Sequence, residues 1–347
     1  MIKKIFFILT LLFATNNMVA QDPVFSQYLF NPVYLNPALA GMDNNFRIFM
    51  NKRSQWSKIP SQFNTNSISL DSWQNNTNSA LSFLYSNNNE GEAYLRTNNL
   101  YAGGAYRLFD VFPSPFAWQF GFQYQYISKN IDFSRLVFSD ELDNYLGNVN
   151  SSSFIPPNIS SFKSSNLALG TVLTYHIKRG SRSRRFHIPL DLDVEIGLAV
   201  HNFIQRSNSF INDAYKVNRK YTLHGSMLWP FKTGKLAGGV KHSAIYLEQG
   251  GLSTLQIGLA EAWLYPLHFG IFYRQQMTSL VDDLDRFESM YFIFGYQKVF
   301  KQSNLSLTFS YSRDFTISEL GSYTNGVNEF SIIIESIGVK SQPFTRL

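Results

Sequence analysis

Hydrophobic and polar residues alternate with a period of two along much of the chain. Between Trp118 and Tyr126, aromatic residues alternate with glutamines and one glycine over nine positions. Residues 190–200 place leucine, valine and isoleucine on one face and acidic or small residues on the other, and residues 304–312 repeat the pattern. Because successive side chains of a β-strand point to opposite faces, each segment predicts a strand with one apolar and one polar surface.

The same alternation, weaker in places, predicts fourteen strands, and no amphipathic helix interrupts them. The predicted strands are 46–53, 63–71, 79–86, 95–108, 117–128, 166–178, 190–203, 220–229, 235–246, 253–263, 267–277, 289–299, 304–315 and 328–336. Several exceed the mean soluble strand of about 5–6 residues and reach the roughly 9–11 residues that a tilted membrane strand requires. The pattern therefore predicts an all-β protein and disfavours a βαβ fold.

A transmembrane antiparallel β-barrel and a soluble β-sandwich both produce such alternation. The apolar faces here are rich in aromatic residues, as in interfacial girdles, and the opposite faces carry glutamine, serine, asparagine and glycine, as in a hydrated lumen. If the first strand rises from the periplasm, most of the longest connections, among them 129–165, lie outside the cell, and the even strand count returns the chain to the periplasm. These features favour the barrel, because bacterial outer-membrane barrels have short periplasmic turns and longer outer loops.

Composition agrees with strands that expose one face to lipid. The 347 residues are 44% hydrophobic and 16% aromatic but only 16% charged, against about 25% charged in average soluble domains. The mean hydropathy of -0.14 argues against a helical membrane protein. The absence of cysteine excludes a disulfide framework, a cysteine zinc site, a thiol nucleophile and a lipoprotein anchor.

The first residues predict a signal peptide. Lys3 and Lys4 precede an apolar run over 5–14 and a small-residue cleavage site that ends at Ala20, although a short buried helix is the alternative. No later stretch approaches the roughly 18–20 apolar residues of a spanning helix. The predicted organisation is a signal peptide over 1–20, an N-terminal segment over 21–45, an outer-membrane barrel over 46–336 and a periplasmic tail over 337–347.

The sequence contains little that predicts catalysis, a metal site or a cofactor. None of the six histidines forms an HExxH pair, and there is no phosphate-binding loop. His201 shares strand parity with Asp191, Asp193 and Glu195, so a lumenal cluster of these residues is geometrically possible. Lumenal charge ladders are normally structural or set ion preference, and a hydrolase would require a serine, a histidine and an acid in one lumenal layer. We therefore predict no enzyme activity, no cofactor and no metal.

Three connections carry surface features. Residues 178–185 contain five basic residues in eight and predict contact with anionic headgroups or a docking site for a periplasmic partner, but not nucleic-acid binding. The aspartates of 278–288 resemble part of a calcium loop but lack its remaining ligands and glycine turn. The 129–165 connection has the length of a binding or lid element.

The N-terminal segment is the most informative stretch. Two Asn-Pro steps, at Asn31-Pro32 and Asn36-Pro37, break any long helix and fix turns. The aromatic residues around them require burial, so we expect this proline-containing segment to pack in or under the lumen. At most it holds one short helix, around 24–30.

The segment resembles the start of the PorP/SprF family of type IX secretion outer-membrane proteins. The residues that carry the resemblance are Asp22, Pro23, Phe25, Ser26, Gln27, Tyr28, Asn31, Pro32, Asn36, Pro37, Ala38, Ala40 and Gly41, followed by Arg53, Gln55 and Trp56 in the pattern Arg-x-Gln-Trp. Residues 328–332 resemble the family's final strand, with Asn328 where histidine is common. We expect the residues of the N-terminal motif to form a docking site or a plug.

The resemblance implies a non-enzymatic outer-membrane barrel of the type IX secretion and gliding apparatus. Its implied partners are outer-membrane lipid and either a secreted surface protein, bound through its C-terminal domain, or periplasmic components of the machinery. The resemblance does not decide between these partners, and the sequence leaves open whether the lumen is open or plugged. A passive channel for small polar solutes, suggested by the polar lumenal face, is the alternative function.

Overall fold

A computed structural model of the protein describes thirteen stretches of the chain. They are residues 22–59, 62–91, 95–108, 116–138, 140–143, 147–148, 151–155, 160–177, 192–205, 216–233, 236–277, 288–317 and 324–337. The predicted signal peptide, the basic residues 178–185, Asp191, the aspartates at 282, 283 and 285, and the tail from 338 lie outside the described residues.

Fourteen antiparallel strands close into a barrel. They are β1 (Phe46–Gln55), β2 (Phe63–Gln74), β3 (Ser79–Glu90), β4 (Leu95–Leu108), β5 (Phe116–Asn130), β8 (Ser161–Ile177), β9 (Leu192–His201), β10 (Lys220–Thr233), β11 (Leu236–Gln249), β12 (Leu252–Leu264), β13 (Leu267–Gln276), β14 (Glu288–Phe300), β15 (Leu305–Thr316) and β16 (Val327–Ser336). Two further short strands, β6 (Leu142–Asp143) and β7 (Gly147–Asn148), lie outside the barrel sheet and pair with each other. The predicted all-β barrel of fourteen strands is confirmed, and each predicted strand overlaps an observed one.

Each barrel strand pairs with its neighbours in chain order, β5 pairs with β8, and β16 pairs with β1 to close the ring. We call one rim the long-loop end; its connections are 56–62, 91–94, 131–160, 202–219, 250–251, 277–287 and 317–326. We call the other rim the short-turn end; its connections are 75–78, 109–115, 178–191, 234–235, 265–266 and 301–304.

The alternation in the sequence corresponds to the two faces of the wall. On β5, Phe122 and Tyr124 point outward with 49% and 44% of their surface exposed, whereas Gln123 between them is 1% exposed and points into the lumen. On β15 the outward Phe309 is exposed and the inward Ser310 and Ser312 are buried. Buried polar side chains on the inner face mean that the lumen beside them is filled rather than open to water.

The N-terminal segment contains three short turns instead of the single helix predicted around 24–30. They are a 3₁₀ turn at Tyr28–Phe30, an α-turn at Pro32–Leu35 and a 3₁₀ turn at Pro37–Leu39. Pro32 and Pro37 each stand at the start of a turn, where the missing proline N–H costs nothing. Within the described ranges, no helix is long and apolar enough to cross a membrane.

The described parts of the long connection between β5 and β8 pack against one another. The ring centroids of Phe138 and Phe154 lie 4.6 Å apart. Asp140 accepts the backbone N–H of Ser153 at 2.6 Å and the hydroxyl of Ser152 at 3.0 Å. These donors, the Ser153 N–H foremost, hold the pKa of the Asp140 carboxyl below its ordinary value.

Candidate functional site: the N-terminal segment inside the barrel

Residues 22–45, which we call the lumenal segment, pass through the barrel from the long-loop end to the short-turn end. At the long-loop end the Asp22 backbone N–H donates to Gln249 Oε1 at 2.9 Å, and Lys220 Nζ lies 3.5 Å from Asp22 Oδ2. At the other end, Gly41 packs against Trp73, close to the β2–β3 turn. The prediction that this segment packs in or under the lumen is confirmed.

Glu329, on β16, binds two successive backbone N–H groups of the segment. Its Oε2 accepts from Ser26 N at 2.8 Å and its Oε1 accepts from Gln27 N at 3.1 Å. The Gln27 side chain also donates to the Glu329 carbonyl at 2.8 Å. The Glu329 carboxylate is fully buried, so it satisfies two N–H groups that have no access to water.

A second buried carboxylate and two guanidinium groups complete this cluster. Arg274 donates to Asp314 Oδ2 at 2.9 Å and to the Ser26 hydroxyl at 3.0 Å, and the hydroxyl donates to Asp314 at 2.9 Å. Arg53 is the register partner of Glu329 across the β1–β16 pair. Two acidic and two basic groups therefore balance each other, as buried charges require.

Tyr34 folds the segment back on itself near the long-loop end. Its hydroxyl donates to the Pro23 carbonyl at 2.7 Å, and the Phe25 ring meets its ring edge-on at 5.1 Å. Lys220 Nζ lies 4.7 Å from the centre of the Tyr34 ring, a cation–π distance. The burial that the aromatic residues require is thus partly provided within the segment.

Tyr28 and Phe30 pack against aromatic residues of β12 and β13. Phe30 stacks on Trp263 with centroids 6.3 Å apart, and Trp263 stacks on His268 at 3.6 Å. Tyr28 meets Phe272 edge-on at 6.1 Å, and its hydroxyl contacts that of Ser243. These rings form apolar clusters within a mostly polar lumen.

Asparagine side chains tie the segment to the pair of strands that closes the barrel. Asn51 on β1 donates to the Phe30 carbonyl at 2.9 Å and accepts from the Ser331 hydroxyl of β16 at 2.6 Å. Asn31 donates to the Ser67 hydroxyl of β2 at 3.0 Å. The segment therefore contacts both strands of the seam between the first and last elements of the ring.

Asn36 connects the segment to the opposite wall. Its side-chain N–H group lies within 3.2 Å of the Thr171 and Leu198 carbonyls and 3.0 Å from His224 Nε2. Its side-chain oxygen accepts from Ala38 N at 2.9 Å and so caps the turn at Pro37. One buried amide thus contacts β8, β9 and β10.

Two glycines, Gly121 and Gly170, form the part of the wall that faces Asn36-Pro37-Ala38. A Cβ at Gly121 would lie 2.2 Å from Ala38 N, and one at Gly170 would lie 1.9 Å from Asn36 Oδ1. The two glycines are register partners across β5 and β8. The close approach of the segment to the wall therefore depends on the missing side chains.

Polar side chains also hold the lower part of the segment. Gln119 donates to the Ala38 and Ala40 carbonyls, both at 2.7 Å, and Arg47 donates to the Leu39 carbonyl at 3.1 Å. Arg47 also pairs with the fully buried Asp71 at 2.5 Å.

A cavity of about 390 Å³ remains between the segment and the wall. The segment contributes apolar residues such as Leu35, Leu39 and Met42 to its lining, and the wall contributes Arg47, Arg107, Asp193, Glu195, His224 and Lys241. Asn75 and Asn78 of the β2–β3 turn also line it, so the cavity reaches the short-turn end.

The structure brings most of the predicted motif residues together inside the barrel. Those from Asp22 to Gly41 lie in the lumenal segment, Arg53 projects into the lumen beside them, and Gln55 contacts the Arg53 guanidinium. Trp56 lies apart, at the long-loop end, where its backbone N–H donates to the Gly326 carbonyl at 2.9 Å and its ring packs on Phe63.

The possible cluster of His201 with the acidic residues of its own strand does not form among the described residues. His201 Nε2 lies 3.1 Å from the Leu35 carbonyl, whereas Asp193 pairs with His176 and Glu195 lies 3.5 Å from His224. The reason is geometric, because cross-strand neighbours are closer than residues far apart along one strand. In the described part of the chain, no group of three or more His, Asp or Glu side chains could hold a metal.

Sequence reasoning missed Asp314, Arg274 and the wall glycines. The only signal was their inward position: two isolated charges on polar strand faces, and glycines that interrupt an otherwise regular alternation.

The sequence model of the PorP/SprF family, described as a type IX secretion system membrane protein, matches residues 17–334. No curated protein matches the chain. Among solved structures, a Pseudomonas aeruginosa FadL homologue is similar at 12% identity and a TM-score of 0.39, over 87% of this chain and 92% of that one. CdiB from Acinetobacter baumannii is similar at 8% identity and a TM-score of 0.40, over 84% and 60%. Omp33, also from Acinetobacter baumannii, is similar at 7% identity and a TM-score of 0.39, over 85% and 99%.

Proposed function

The chain belongs to the PorP/SprF family of type IX secretion system membrane proteins, and from this premise we propose that it is an outer-membrane docking barrel. It binds a secreted surface protein, or the periplasmic machinery that exports that protein, and helps to export or anchor it. It acts without catalysis and without a cofactor. The long-loop end faces the outside of the cell and the short-turn end faces the periplasm.

The observation that carries this proposal is the occupied lumen. The lumenal segment is bound through backbone and side-chain hydrogen bonds to strands on several sides of the wall, including β16, β8 and β5. A barrel whose interior holds its own chain offers its rims and loops to a partner, rather than a wide path through its centre. The family motif then acts as a resident plug.

Photo-crosslinking in native membranes tests the docking role and identifies the rim that is used. We would place a photoreactive residue at Val137 or Ile155, exposed at the long-loop end, and at Asn76, exposed in the β2–β3 turn. Crosslinks from the first two to a secreted surface protein, or from Asn76 to a periplasmic subunit, are the expected results. Recovery of the uncrosslinked barrel alone, from all three positions and under gentle extraction, would contradict docking.

The same positions test the orientation. The chain contains no cysteine, so a single cysteine at Ile155 or at Asn76 gives an unambiguous labelling site. A membrane-impermeant maleimide should label Ile155→Cys on intact cells and Asn76→Cys only after the outer membrane is opened. The reverse pattern would place the long loops in the periplasm.

A passive channel for small polar solutes is the second candidate, supported by the serine and glutamine side chains of the inner face. Planar-bilayer conductance separates the two functions. The intact docking barrel should be nearly silent, whereas a channel should show stable open steps.

A further inference from the structure

Two rows of polar residues cross the outward face of the barrel at the long-loop end. Residues in register across neighbouring strands form each row. The first row is Lys52, Asn66, Asn87 and Asn98, on β1 to β4. The second row is Arg313, Asn328, Ser54, Asn64, Asn89 and Arg96, on β15, β16 and β1 to β4. We call them together the polar rows.

The polar rows stand on the side of the wall that otherwise faces lipid. On each of these six strands the inward neighbours are mostly buried, and the outward positions next to the rows on the short-turn side are exposed apolar or tyrosine side chains, including Phe330, Ile68, Tyr85 and Leu100. The surface therefore changes from hydrocarbon-compatible to polar within one step along β16 and β1 to β4, whereas on β15 the exposed Phe315 lies beyond Arg313. Such a step marks the level of the headgroups.

The hydrogen bonds within the rows leave an excess of donors. Asn98 Oδ1 accepts from Asn87 at 2.8 Å and from the Tyr85 hydroxyl at 2.9 Å. Asn328 Oδ1 accepts from Arg313 at 2.9 Å and from the Tyr311 hydroxyl at 2.7 Å. Because these carbonyls are already engaged, the groups available to a ligand are mainly amide N–H groups and cations.

The charge of the surface has a single sign. Lys52, Arg96 and Arg313 are its ionised residues, and none of the outward positions along these six described strands is Asp or Glu. On the other side of the barrel, carboxylates occupy the corresponding ends of β11 and β14, at Glu248 and Glu288. An anionic, acceptor-rich headgroup is thus complementary to β15–β4 and not to β11–β14.

We propose that the polar rows bind the sugar–phosphate headgroup of lipopolysaccharide. The phosphates pair with Lys52 and Arg313, the sugar hydroxyls and carbonyls meet the asparagine amides, and the acyl chains lie on Phe330 and its neighbours below. This inference rests on the proposed outer-membrane location, with the long-loop end in the outer leaflet.

Binding of purified lipopolysaccharide to the full chain in a non-ionic detergent tests the site, with free lipid titrated and bound lipid counted by native mass spectrometry. We expect the K52E/R313E variant to bind more than about thirtyfold more weakly, because two attractive contacts become repulsive. K298E is the matched control, since Lys298 is an exposed outward lysine near the short-turn end of β14, and we expect it to bind like the native chain. R96E should give an intermediate loss.

Heat-modifiable migration on gels establishes that each variant is folded. If K52E/R313E does not fold, K52Q/R313Q removes the charges without reversing them, and we expect it to bind about thirtyfold more weakly. Equal binding by the native chain and the folded variant would overturn the proposal. Equally effective competition by phosphatidylglycerol would do the same, because an anionic lipid without sugars would then suffice.

The assay also separates this inference from the docking function. Binding in detergent needs neither a partner nor a cell, so a barrel that binds lipopolysaccharide and crosslinks to no protein would contradict docking alone. A chain that uses Lys52 and Arg313 to bind an acidic protein, and not lipopolysaccharide, would overturn the inference and leave docking intact.

Discussion

The two ends of the lumenal segment are held to the barrel in different ways. Near the long-loop end, Ser26 and Gln27 hydrogen-bond to the buried carboxylates of Glu329 and Asp314. Near the short-turn end, Pro37 and Ala38 lie so close to the wall that a single added carbon at Gly121 would meet their backbone. The first end is held by directional hydrogen bonds to charged groups, and the second is held by close steric fit.

The difference shows which changes each end tolerates. Losing a carboxylate leaves buried donors and a buried guanidinium without partners, a penalty that rearrangement of neighbours does not remove. Adding a methyl group to the glycine wall leaves all polar groups in place but forces the backbone of the segment away. Substitutions at the two ends should therefore differ in how much they lower the free energy of unfolding and in which second substitution restores it.

The largest effect should come from removing both ends at once. Deletion of residues 22–41 takes away the groups that Glu329, His224 and Gln119 contact, and it empties much of the lumen. We expect the nearly silent barrel to become conductive in planar bilayers. A folded deletion variant that stays as silent as the intact chain would show that the segment is not what blocks the lumen.

Next in size is Glu329→Ala, which tests the chemical end. It leaves the buried N–H groups of Ser26 and Gln27 without their acceptor and removes the carboxylate in register with Arg53, and we expect a loss of about 3–5 kcal/mol in the free energy of unfolding. Urea unfolding in detergent measures it. Glu329→Gln removes the charge but keeps one acceptor and should lose less, and equal losses in the two variants would contradict a contribution from that acceptor.

Gly121→Ala tests the end held by shape, and we expect a loss of about 1–3 kcal/mol. The added carbon would lie 2.2 Å from Ala38 N, and a flexible side chain cannot relieve a contact with backbone. Gly225→Ala is the matched control, because the Glu195 carbonyl oxygen, the atom that its new carbon would approach, lies at an ordinary contact distance of 3.5 Å. Similar losses at the two glycines would mean that close approach is not what Gly121 provides.

A smaller effect distinguishes shape from chemistry at a single position. Asn36→Ala should lose about 1–2 kcal/mol with its hydrogen bonds and its cap. It also removes Oδ1, the atom that a Cβ at Gly170 would meet at 1.9 Å. In urea unfolding, Gly170→Ala should therefore cost less in the Asn36→Ala background than in the native chain. Strictly additive losses would contradict the steric explanation.

The smallest effect is expected at the partly exposed end of the segment. Lys220 Nζ lies 3.5 Å from an Asp22 carboxylate whose side chain is 41% exposed, so Lys220→Met should change the free energy of unfolding by less than about 1 kcal/mol. The change in the free energy of unfolding should be smaller still at high salt concentration. A loss as large as that of Glu329→Ala would show that this pair belongs to the buried cluster.

The barrel could be predicted from sequence because each strand alternates between residues suited to lipid and residues suited to the lumen. The outward Phe122 and the inward Gln123 are adjacent in the chain, so the face that each one occupies is a local property. The burial of the lumenal segment was also predictable, since a free tail would leave the rings of Phe25, Tyr28 and Phe30 exposed to water. Strand ends were less certain, and β8 begins five residues before its predicted start at 166.

The site's contacts were not predictable because their partners are distant in sequence. Ser26 and Glu329 are 303 positions apart, and Arg274 and Ser26 are 248 apart. Inward residues of either charge sign fit the pattern of a polar face equally well, so the alternation does not identify which carboxylate binds the segment. The glycines of the wall are informative only once the segment is known to lie against them.

The asparagine bridge at the seam has a consequence for how the molecule assembles. Asn51 contacts Ser331 across 280 positions of sequence and holds the Phe30 carbonyl at the same time. Among the strand pairings, that of β1 with β16 joins the residues farthest apart in sequence, and it therefore carries the greatest loop-closure entropy cost. We therefore expect binding of the lumenal segment and pairing of β1 with β16 to occur together, in one cooperative step late in folding. In that step the lumenal segment positions the two strands that close the barrel.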